Sequence, residues 1–356
     1  MAARDIAATR RLGTTDIAIP MLGVGCAAIG NLHGRVPPAS AAGVLDAAWA
    51  AGVRYYDTAP LYGRGLGELR VGEALRDRDR SSYVLSSKVG WRMVPLQRDV
   101  GSPAHQPFAL RCDYSRGGTF RSVEDTLLRL GVDRLDALFV HDVDPYNHGD
   151  NYPAQRRAVL DGALPALHDL RCAGLVRAVG VAVNNCTVCL DFLREAEPDA
   201  FVLAGRYTLL DQEAADLVLP ECGRRGVGVI VGAPFNSGVL ASGAHDGARY
   251  NYQPLDPDTR QRVERLRSVC DAHGVSLLAA ALQFPLTHPG VASVLPGPRT
   301  LEQMHGIVRG FAEVIPAALW SDLAEAGLMS AAALSAATRD SATVQSPAPE
   351  RRKHAH

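Results

Sequence analysis

The chain has 356 residues, of which 47% are apolar and 21% charged, and its formal net charge is -1 at pH 7. This composition is typical of a globular protein that can bury a full core as one large domain or two ordinary ones. The near-zero charge gives no electrostatic reason to expect nucleic acid or an anionic membrane as a partner. The N-terminus lacks the apolar stretch of a signal peptide, and no run reaches the roughly 18 to 20 apolar residues of a membrane helix. We therefore expect a cytoplasmic protein.

Seven cysteines are scattered along the chain, and their odd number and irregular spacing argue against a disulfide framework. Cys186 and Cys189, in "CTVC", form the one close pair. A zinc site would need a second pair, or histidines at matching spacing, and the sequence offers neither. We expect buried thiols and no metal site, with a redox pair at Cys186 and Cys189 as the alternative.

One unit recurs along the chain: a short β-branched run, a loop, and an amphipathic stretch that often ends at glycine. The runs are continuously apolar rather than alternating, as expected for parallel strands buried on both faces. Eight such units in about 310 residues predict an α/β fold of the (β/α)8 TIM barrel type rather than an open doubly wound sheet. The predicted strands are 19–26, 52–57, 82–88, 134–141, 177–183, 200–205, 228–233 and 290–296.

Four segments fall outside these units. Residues 10–20, "RRLGTTDIAIP", predict a β-hairpin that caps the barrel floor, and residues 315–329 predict an extra C-terminal helix. The loop 89–118 is too long for a simple connection and suggests a lid. Few large apolar residues follow position 333, so we expect one domain over residues 1–333 and a disordered tail over 334–356.

Three successive predicted strands end on ionisable residues, Asp57, Lys88 and His141, and Tyr62 lies in the loop after the first of them. A single carboxylate at a strand end is more often a structural cap, but three such ends in a row are hard to explain by packing, since buried charges need partners. In a barrel these ends meet at one mouth. A phenol has a pKa near 10, and a nearby ammonium favours its ionised form. These residues predict transfer of a proton to or from an alcohol or carbonyl oxygen, while another group transfers a hydride.

The stretch "GVRYYDTAPLYGRGLGELRVGEAL" resembles the signature of the aldo-keto reductase superfamily, and "SSKVG" and "LDALFVHD" extend the likeness. The resemblance implies a catalytic tetrad of Asp57, Tyr62, Lys88 and His141, and a barrel that binds NAD(P)H without a Rossmann domain. Four stretches resemble the branch of D-threo-aldose 1-dehydrogenase, L-fucose dehydrogenase and pyridoxal 4-dehydrogenase: "RSVEDTLLRLGVDRLDALFVHDVD", "AGRYTLLDQ", "PFNSGVL" and "AALQFPLTHPGVASVLPGPRTLEQ".

The same resemblance places Asn184 and Phe235 against the nicotinamide. Ala204 stands where the family usually has glutamine, so that contact is lost or supplied otherwise, with Arg206 as a candidate. Main-chain donors in "PFNSGVL" would hold phosphate oxygens, and the end of the first strand would approach the cofactor. The residues expected to hold phosphate oxygens are Asn236, Ser237, Gly238 and Leu240. Those expected to approach the cofactor from the first strand are Gly25 and Cys26, and Asp57 is also expected to contact the cofactor.

The segment "LPGPRTLEQ" corresponds to the part of the family that meets the adenosine phosphate. NADP-preferring relatives place Lys and Arg there, whereas Gly297 and Gln303 occupy those positions in this chain, which leaves Arg299. The resemblance therefore favours NAD as the cofactor. NADP is possible because a single arginine can hold a phosphate.

On the substrate side we expect Tyr62, His141 and Trp91, with packing on the barrel rim as the alternative for Trp91. Asp142 and Asp144 are either polar partners of the substrate or turn residues. This mixture favours a hydroxylated small molecule, such as a sugar hemiacetal, over a large apolar ligand.

The function implied is oxidation of the C1 hydroxyl of an aldose, such as L-fucose or another D-threo-aldose, to the lactone. Tyr62 would take the proton, Lys88 and Asp57 would tune it, and His141 would orient the oxygen. The alternatives are a pyridoxal 4-dehydrogenase, a small-aldehyde reductase, a nicotinamide-binding regulatory barrel subunit, and a metal-dependent barrel enzyme. We expect a sugar or aldehyde as the ligand and a monomer or small homo-oligomer.

Overall fold

The computed structural model describes residues 3–32, 34–96, 108–251 and 253–344. The strands are β1 (Thr9–Arg11), β2 (Ala18–Pro20), β3 (Val24–Gly25), β4 (Tyr55–Asp57), β5 (Val84–Val89), β6 (Trp91–Pro95), β7 (Phe108–Cys112), β8 (Leu135–His141), β9 (Val176–Val183), β10 (Ala200–Ala204), β11 (Gly228–Gly232), β12 (Arg249–Tyr250), β13 (Gln253–Pro254) and β14 (Val291–Leu295).

The α-helices are α1 (Pro38–Ala50), α2 (Leu66–Leu75), α3 (Arg116–Leu130), α4 (Pro145–His148), α5 (Tyr152–Ala158), α6 (Leu164–Cys172), α7 (Cys186–Glu195), α8 (Glu213–Leu217), α9 (Leu219–Arg225), α10 (Val239–Ser242), α11 (Pro257–Ala272), α12 (Leu277–Gln283), α13 (Leu301–Ala312), α14 (Ala317–Glu325) and α15 (Ala331–Val344). Three short 3-10 segments and one π-helical segment join them, at Arg80–Ser82, Gly149–Asn151, Phe284–Thr287 and Val159–Ala163.

Eight parallel strands form the barrel, in the order β3, β4, β5, β8, β9, β10, β11 and β14. The sheet closes on itself through a parallel bridge between Leu22 and Val294. Two hydrogen bonds extend this seam, from Gly23 N to Val294 O at 3.0 Å and from Gly25 N to Pro296 O at 2.9 Å. The predicted (β/α)8 barrel is confirmed.

The hairpin of β1 and β2 covers the amino-terminal end of the barrel, as predicted. Leu12, Ile17 and Ile19 are buried in the barrel interior, in one apolar cluster with Tyr55 and Phe139. Burial of these aliphatic side chains is favourable and removes the lower opening of the barrel from water. The floor is therefore closed, and a ligand can reach the interior only from the other end.

The C-terminal region partly departs from the prediction. The extra helix is present as α14, but the chain then forms α15, so the expected disordered tail is wrong for residues 334–344. Ala333, Ala336 and Ala337 are buried on one side of α15. Alanine is the best helix former, and its small side chain packs closely without large apolar groups, which is why the composition was misleading. Residues 345–356 of the predicted tail lie outside the described residues.

The long segment after β5 is not simply a loop. β6 and β7 pair as an antiparallel ribbon, with Trp91 opposite Cys112 and Pro95 opposite Phe108. An ion pair of 3.0 Å between Arg92 and Asp113 holds its base. Residues 97–107, part of the same predicted lid, lie outside the described residues.

All seven cysteines are free thiols, and both Cys186 and Cys189 are buried, as predicted. Among the described residues no group of three or more His, Cys, Asp or Glu side chains is arranged to hold a metal ion. In the described ranges no single helix has the length and apolar character needed to cross a membrane. One pair of helices, Pro257–Ala272 and Leu277–Thr287, meets these two criteria only when the helices are taken together, and the pair is bent by 99°.

Candidate active site

Three neighbouring strands carry the ionisable residues to one end of the barrel. Asp57 ends β4, His141 ends β8, and β5 between them carries Lys88. The exposed fractions of these residues are 3% for Asp57, 1% for Lys88 and 6% for His141. They lie at the carboxyl end of a parallel barrel, where the strand ends are adjacent and a ligand can reach them.

Lys88 and Asp57 form a buried ion pair. The Lys88 Nζ donates to Asp57 Oδ2 at 2.6 Å and to the Thr58 carbonyl at 2.9 Å. The other carboxylate oxygen accepts from Ser86 Oγ at 2.7 Å, and the Tyr55 hydroxyl lies 2.9 Å from that same Oγ. The carboxylate is therefore fixed from two sides, and it fixes the ammonium in turn.

Sequence reasoning missed Ser86 and Tyr55, although a signal was present. Residues two apart in a strand point to the same face. Ser86 therefore shares a face with Lys88 in β5, and Tyr55 shares one with Asp57 in β4. A polar residue two positions from a predicted site residue, in an otherwise apolar strand, is a candidate to support it.

Tyr62 is placed beside the ion pair by the Thr-Ala-Pro bend that follows β4. Tyr62 N donates to Ala59 O at 3.1 Å, closing the turn. The Lys88 Nζ lies 4.7 Å from the centroid of the Tyr62 ring. The rings of Tyr62 and His141 meet edge to face, with centroids 5.6 Å apart. A Cβ on Gly30 would lie only 2.8 Å from the Tyr62 Cβ, so the close approach of the neighbouring loop needs glycine there.

The electrostatics of the four residues differ from expectation at one point. Burial raises the pKa of Tyr62, and the favourable charge of Lys88 only partly opposes that shift. Burial also disfavours the charged form of Lys88, but Asp57 and Tyr62 outweigh it and hold the pKa of the ammonium above its usual range. Lys88 therefore stays charged, whereas Tyr62 stays protonated at neutral pH in the ligand-free protein.

His141 is neutral, because burial and then the positive charge of Lys88 lower its pKa well below the usual range. Its Nδ1 is buried and has no hydrogen-bond partner among the described residues. Its Nε2 lies 3.6 Å from Asp142 Oδ2. A neutral imidazole carries one N–H donor, so His141 can donate a hydrogen bond to a ligand oxygen without carrying charge.

Trp91 lies on the rim of this site and stacks on a residue that sequence reasoning missed. The rings of Trp91 and His148 are 6.2 Å apart and 9° from parallel. The Tyr114 hydroxyl donates to the His141 carbonyl at 2.8 Å and lies 3.1 Å from His148 Nε2. Tyr114 lies in the loop between β7 and α3 and His148 ends α4, and no local pattern in the sequence connects them.

The predicted cofactor residues at the barrel seam come together. Cys26 N donates to Asp57 O at 2.8 Å, which ties the end of β3 to the catalytic strand. A Cβ on Gly297 would lie 3.4 Å from Gly25 O, so these two glycines are adjacent. The Cys26 thiol faces inward toward Val24 O, and burial raises its pKa, so the side chain is not available to a ligand.

The predicted phosphate-binding loop after β11 has an unusual backbone. Ala233, Asn236 and Ser237 all have positive φ angles, of 49°, 43° and 59°. The N–H groups of Asn236, Gly238 and Leu240 close turns within the loop, at 3.1, 3.0 and 3.2 Å. The expectation that these three donors point at a phosphate is corrected, because the tight turn uses them. Phe235 is half-buried at the start of this loop.

Arg206 does not replace the missing glutamine. Its Nη1 pairs with Asp211 at 2.7 Å, and its Nε donates to the main-chain carbonyl of Asn184, also at 2.7 Å. Arg206 therefore fixes the backbone that presents Asn184. Next to Ala204, the last residue of β10, lies the side-chain amide of Asn236, whose Nδ2 donates to Gly205 O at 3.3 Å.

The segment predicted to meet the adenosine phosphate begins a helix. Gln303 N donates to Thr300 Oγ1 at 3.2 Å, and Gln303 Oε1 accepts from Arg299 N at 2.8 Å. These two bonds cap the amino-terminal end of α13. Gln303 thus has a structural role that sequence reasoning did not foresee.

The family of this chain follows from comparison with known proteins. The model of the aldo/keto reductase family matches residues 21–327. The chain therefore belongs to the aldo/keto reductase family, and it is an oxidoreductase. The cofactor of this family and of its dehydrogenases is a nicotinamide nucleotide.

Two relatives cover nearly the whole chain. A D-threo-aldose 1-dehydrogenase of a Pseudomonas species is 40% identical over 323 residues, 88% of this chain and 95% of that protein. A pyridoxal 4-dehydrogenase of Microbacterium luteolum is 37% identical over 335 residues, 90% of this chain and 98% of that protein.

Solved structures confirm the fold. The holo form of an aldo-keto reductase from Bacillus halodurans is 24% identical, with a TM-score of 0.69 over 93% of this chain and 95% of that one. A glycerol dehydrogenase from Gluconobacter oxydans is 21% identical, with a TM-score of 0.71 over 90% and 94% of the two chains.

Proposed function

We propose that this protein oxidises the C1 hydroxyl of an aldose, such as L-fucose or another D-threo-aldose, to the lactone, with NAD as hydride acceptor. One observation carries the proposal: a phenol, a buried ammonium–carboxylate pair and a neutral imidazole meet at the open end of the barrel. That set can move a proton at an oxygen atom. The 40% identity with a D-threo-aldose 1-dehydrogenase supports the choice of substrate.

The residues around the catalytic group fit a nicotinamide nucleotide. Asn236 is 3% exposed, and its side-chain Oδ1 is buried with no partner in the described part of the chain. Such an atom is costly to bury unless a ligand donates to it. Asn184 and Phe235 would face the nicotinamide, Gly25 would approach the cofactor, and Gly297 would lie in the segment that meets the adenosine phosphate. When bound, NAD supplies the hydride-accepting carbon C4.

In the proposed reaction, the Tyr62 phenol first loses its proton to solvent, and Lys88 stabilises the phenolate, while Asp57 keeps Lys88 charged and oriented. The phenolate then accepts the proton of the C1 hydroxyl and becomes a phenol again as the C–H bond of C1 is broken. His141 donates a hydrogen bond to the same substrate oxygen and stays neutral throughout. Proton and hydride leave the substrate together, and the C1 carbonyl of the lactone forms.

We propose NAD rather than NADP because the segment expected to meet the 2′-phosphate carries few positively charged side chains. Gln303 is used in capping α13, and Gly297 has no side chain. Arg299 is the one cation of that segment, whereas the family resemblance places both Lys and Arg there in NADP-preferring relatives. Localisation in the cytoplasm and a monomeric or small homo-oligomeric state are part of the proposal.

Oxidation of pyridoxal is the second candidate, because the relative with that activity is 37% identical over 98% of its length. Pyridoxal, like an aldose, forms a cyclic hemiacetal, and the same four residues could remove its proton. The two candidates therefore differ in the walls of the pocket rather than in the catalytic group.

Initial rates with L-fucose, D-arabinose and pyridoxal, each with NAD and with NADP, test the proposal. We expect the highest kcat/KM for an aldose with NAD, and at least about a tenfold lower value with NADP. A higher value for pyridoxal would establish the second candidate instead. Absence of turnover with all three, in both directions, would overturn both.

A further inference from the structure

Two acidic residues follow His141, and the structure gives them different roles. Asp144 is 1% exposed and caps α4, since its Oδ1 accepts from the Asn147 main-chain N at 2.9 Å and from the Asn147 side chain at 3.0 Å. Through Oδ1 it is a turn residue, and its other carboxylate oxygen, Oδ2, is buried with no hydrogen-bond partner among the described residues. Asp142 is partly exposed, and its carboxylate accepts no hydrogen bond from any group in the described ranges.

The backbone of Asp142 fixes the direction of its side chain. Its φ angle is +54°, in the left-handed region that non-glycine residues seldom adopt, and its N–H donates to Ala182 O at 2.9 Å. This conformation is held at the end of β8, directly after the proposed hydrogen-bond donor to the substrate. It leaves Asp142 Oδ2 3.6 Å from His141 Nε2, with 24% of the side chain exposed.

A carboxylate in this position lacks the donors that ionised groups usually have when they leave water. Burial, and then repulsion from Asp144, raise the pKa of Asp142 to about 7, against the opposing effect of Lys88. A ligand hydroxyl would supply the missing donor. Because Oδ2 lies so near Nε2, oxygens on two neighbouring carbons of one ligand can engage both groups at once.

We propose that Asp142 is a specificity-determining residue that accepts a hydrogen bond from the hydroxyl on C2 of the aldose, next to the reacting C1. The inference rests on the proposed function, because it assumes that His141 holds the C1 oxygen. A site built to pair a substrate hydroxyl rejects an analogue without it, since the buried polar group is then left unpaired. Asp142 would thus select sugars with a free C2 hydroxyl.

The experiment compares KM and kcat for L-fucose and 2-deoxy-L-fucose, with NAD, in the wild type and in the Asp142→Asn variant. Asparagine tolerates the left-handed backbone, so the change removes charge with little strain. We expect the wild type to favour L-fucose by about tenfold or more in kcat/KM, mainly through KM. In the variant that advantage should fall below about threefold. Asp144→Asn is the matched control and should retain the advantage.

The outcomes separate the two claims. If the wild type oxidises L-fucose but the variant keeps the full preference for it over the deoxy sugar, the role of Asp142 is wrong and the function stands. An equal loss of kcat with both sugars would show that Asp142 acts only by orienting His141, which also overturns the inference. If the wild type oxidises neither sugar, both claims fail.

The wild type alone gives a second measurement, in case the variant does not fold. The preference for L-fucose should weaken as pH falls through about 7, because protonated Asp142 is a poorer acceptor. A preference that is constant between pH 6 and pH 8 would contradict the role of Asp142. The titratable and charged groups that face Asp142 are Tyr62, Lys88, Tyr114, His141, Asp144 and His148.

Discussion

Two buried aspartates lie at opposite ends of the same barrel and are held in different ways. Asp136, near the start of β8 at the floor, pairs with Arg80 at 2.7 Å and with Arg177 at 3.1 Å, and also accepts from Leu85 N at 2.9 Å. Asp57, at the mouth, has one cationic partner, Lys88 at 2.6 Å.

The difference lies in what surrounds each pair. At the floor, two arginines satisfy both carboxylate oxygens, and Arg177 also pairs with Asp16 at 3.2 Å. At the mouth the ion pair leads on to Tyr62 and His141, and the His141 Nδ1 is buried without a partner in the described ranges. A saturated cluster stabilises the fold, whereas an unsaturated one retains capacity for a ligand. Substitutions at the two ends should therefore separate activity from stability.

The largest effect is expected at the mouth, from Tyr62→Phe. Loss of the phenolic oxygen removes the proton acceptor, so kcat should fall by about a thousandfold, within the range for general acid–base catalysis. Quenching of tryptophan fluorescence by NAD should show an unchanged affinity. Tyr207→Phe is the matched control. Tyr207 is buried against Phe284, and loss of its hydroxyl should change kcat less than about twofold. If the Tyr62→Phe variant kept more than a tenth of the wild-type activity, the proposed catalytic role of the mouth would be contradicted.

At the floor, Asp136→Ala should lower the free energy of unfolding and leave kcat/KM within about twofold. We expect a loss of about 2 to 3 kcal/mol in urea titrations, less than for a fully buried pair because Arg177 is partly exposed. Asp133→Ala, which removes an exposed carboxylate paired with Arg134, should cost under about 0.5 kcal/mol. A loss of activity in the Asp136→Ala variant, without a loss of stability, would contradict the division of roles.

The smallest effect concerns the two histidines that burial keeps neutral. Burial lowers the pKa of His288, near the floor, to about 4, and it also lowers the pKa of His141 well below its usual range. The unfolded chain binds protons at both residues below about pH 6.5 while the folded protein does not, so stability is lost as pH falls from about 6.5 toward 4.

His288→Asn keeps an acceptor for the Gly290 N–H and should reduce this loss by about 1 to 2 kcal/mol, with no change in the pH dependence of kcat/KM. Urea titrations at pH 7, 5.5 and 4.5 measure the stability difference. If the variant instead changed the pH–rate profile, the floor and the mouth would be coupled.

The sequence was sufficient for the barrel and for the positions of the four central residues, because both follow from local features. Continuous apolar runs specify parallel strands, and the last residue of each strand is determined by where the run ends. Asp57, Lys88 and His141 could therefore be placed at one mouth before any contact was known.

The rest depends on contacts between distant segments. Tyr114, at the base of the β6–β7 ribbon, donates to the His141 carbonyl, and Arg206 pairs with Asp211 rather than with a cofactor. The contrast between Asp142 and Asp144 depends on which of them Asn147 uses as a cap. Hydrogen bonds of this kind are decided by three-dimensional packing, and a single sequence carries no periodic trace of them.

The seam of the barrel also bears on how the protein is made. Leu22 and Val294 pair across the seam, so this edge of the first barrel strand, β3, cannot pair with β14 until nearly the whole chain has been synthesised. Until then β3 has an unpaired edge, and such edges promote wrong association. The hairpin of β1 and β2, built from neighbouring residues, can form early and shelter the apolar side chains beside that edge. The hairpin that caps the floor of the finished barrel would thus first cover the apolar side chains beside the unpaired edge of β3 during synthesis.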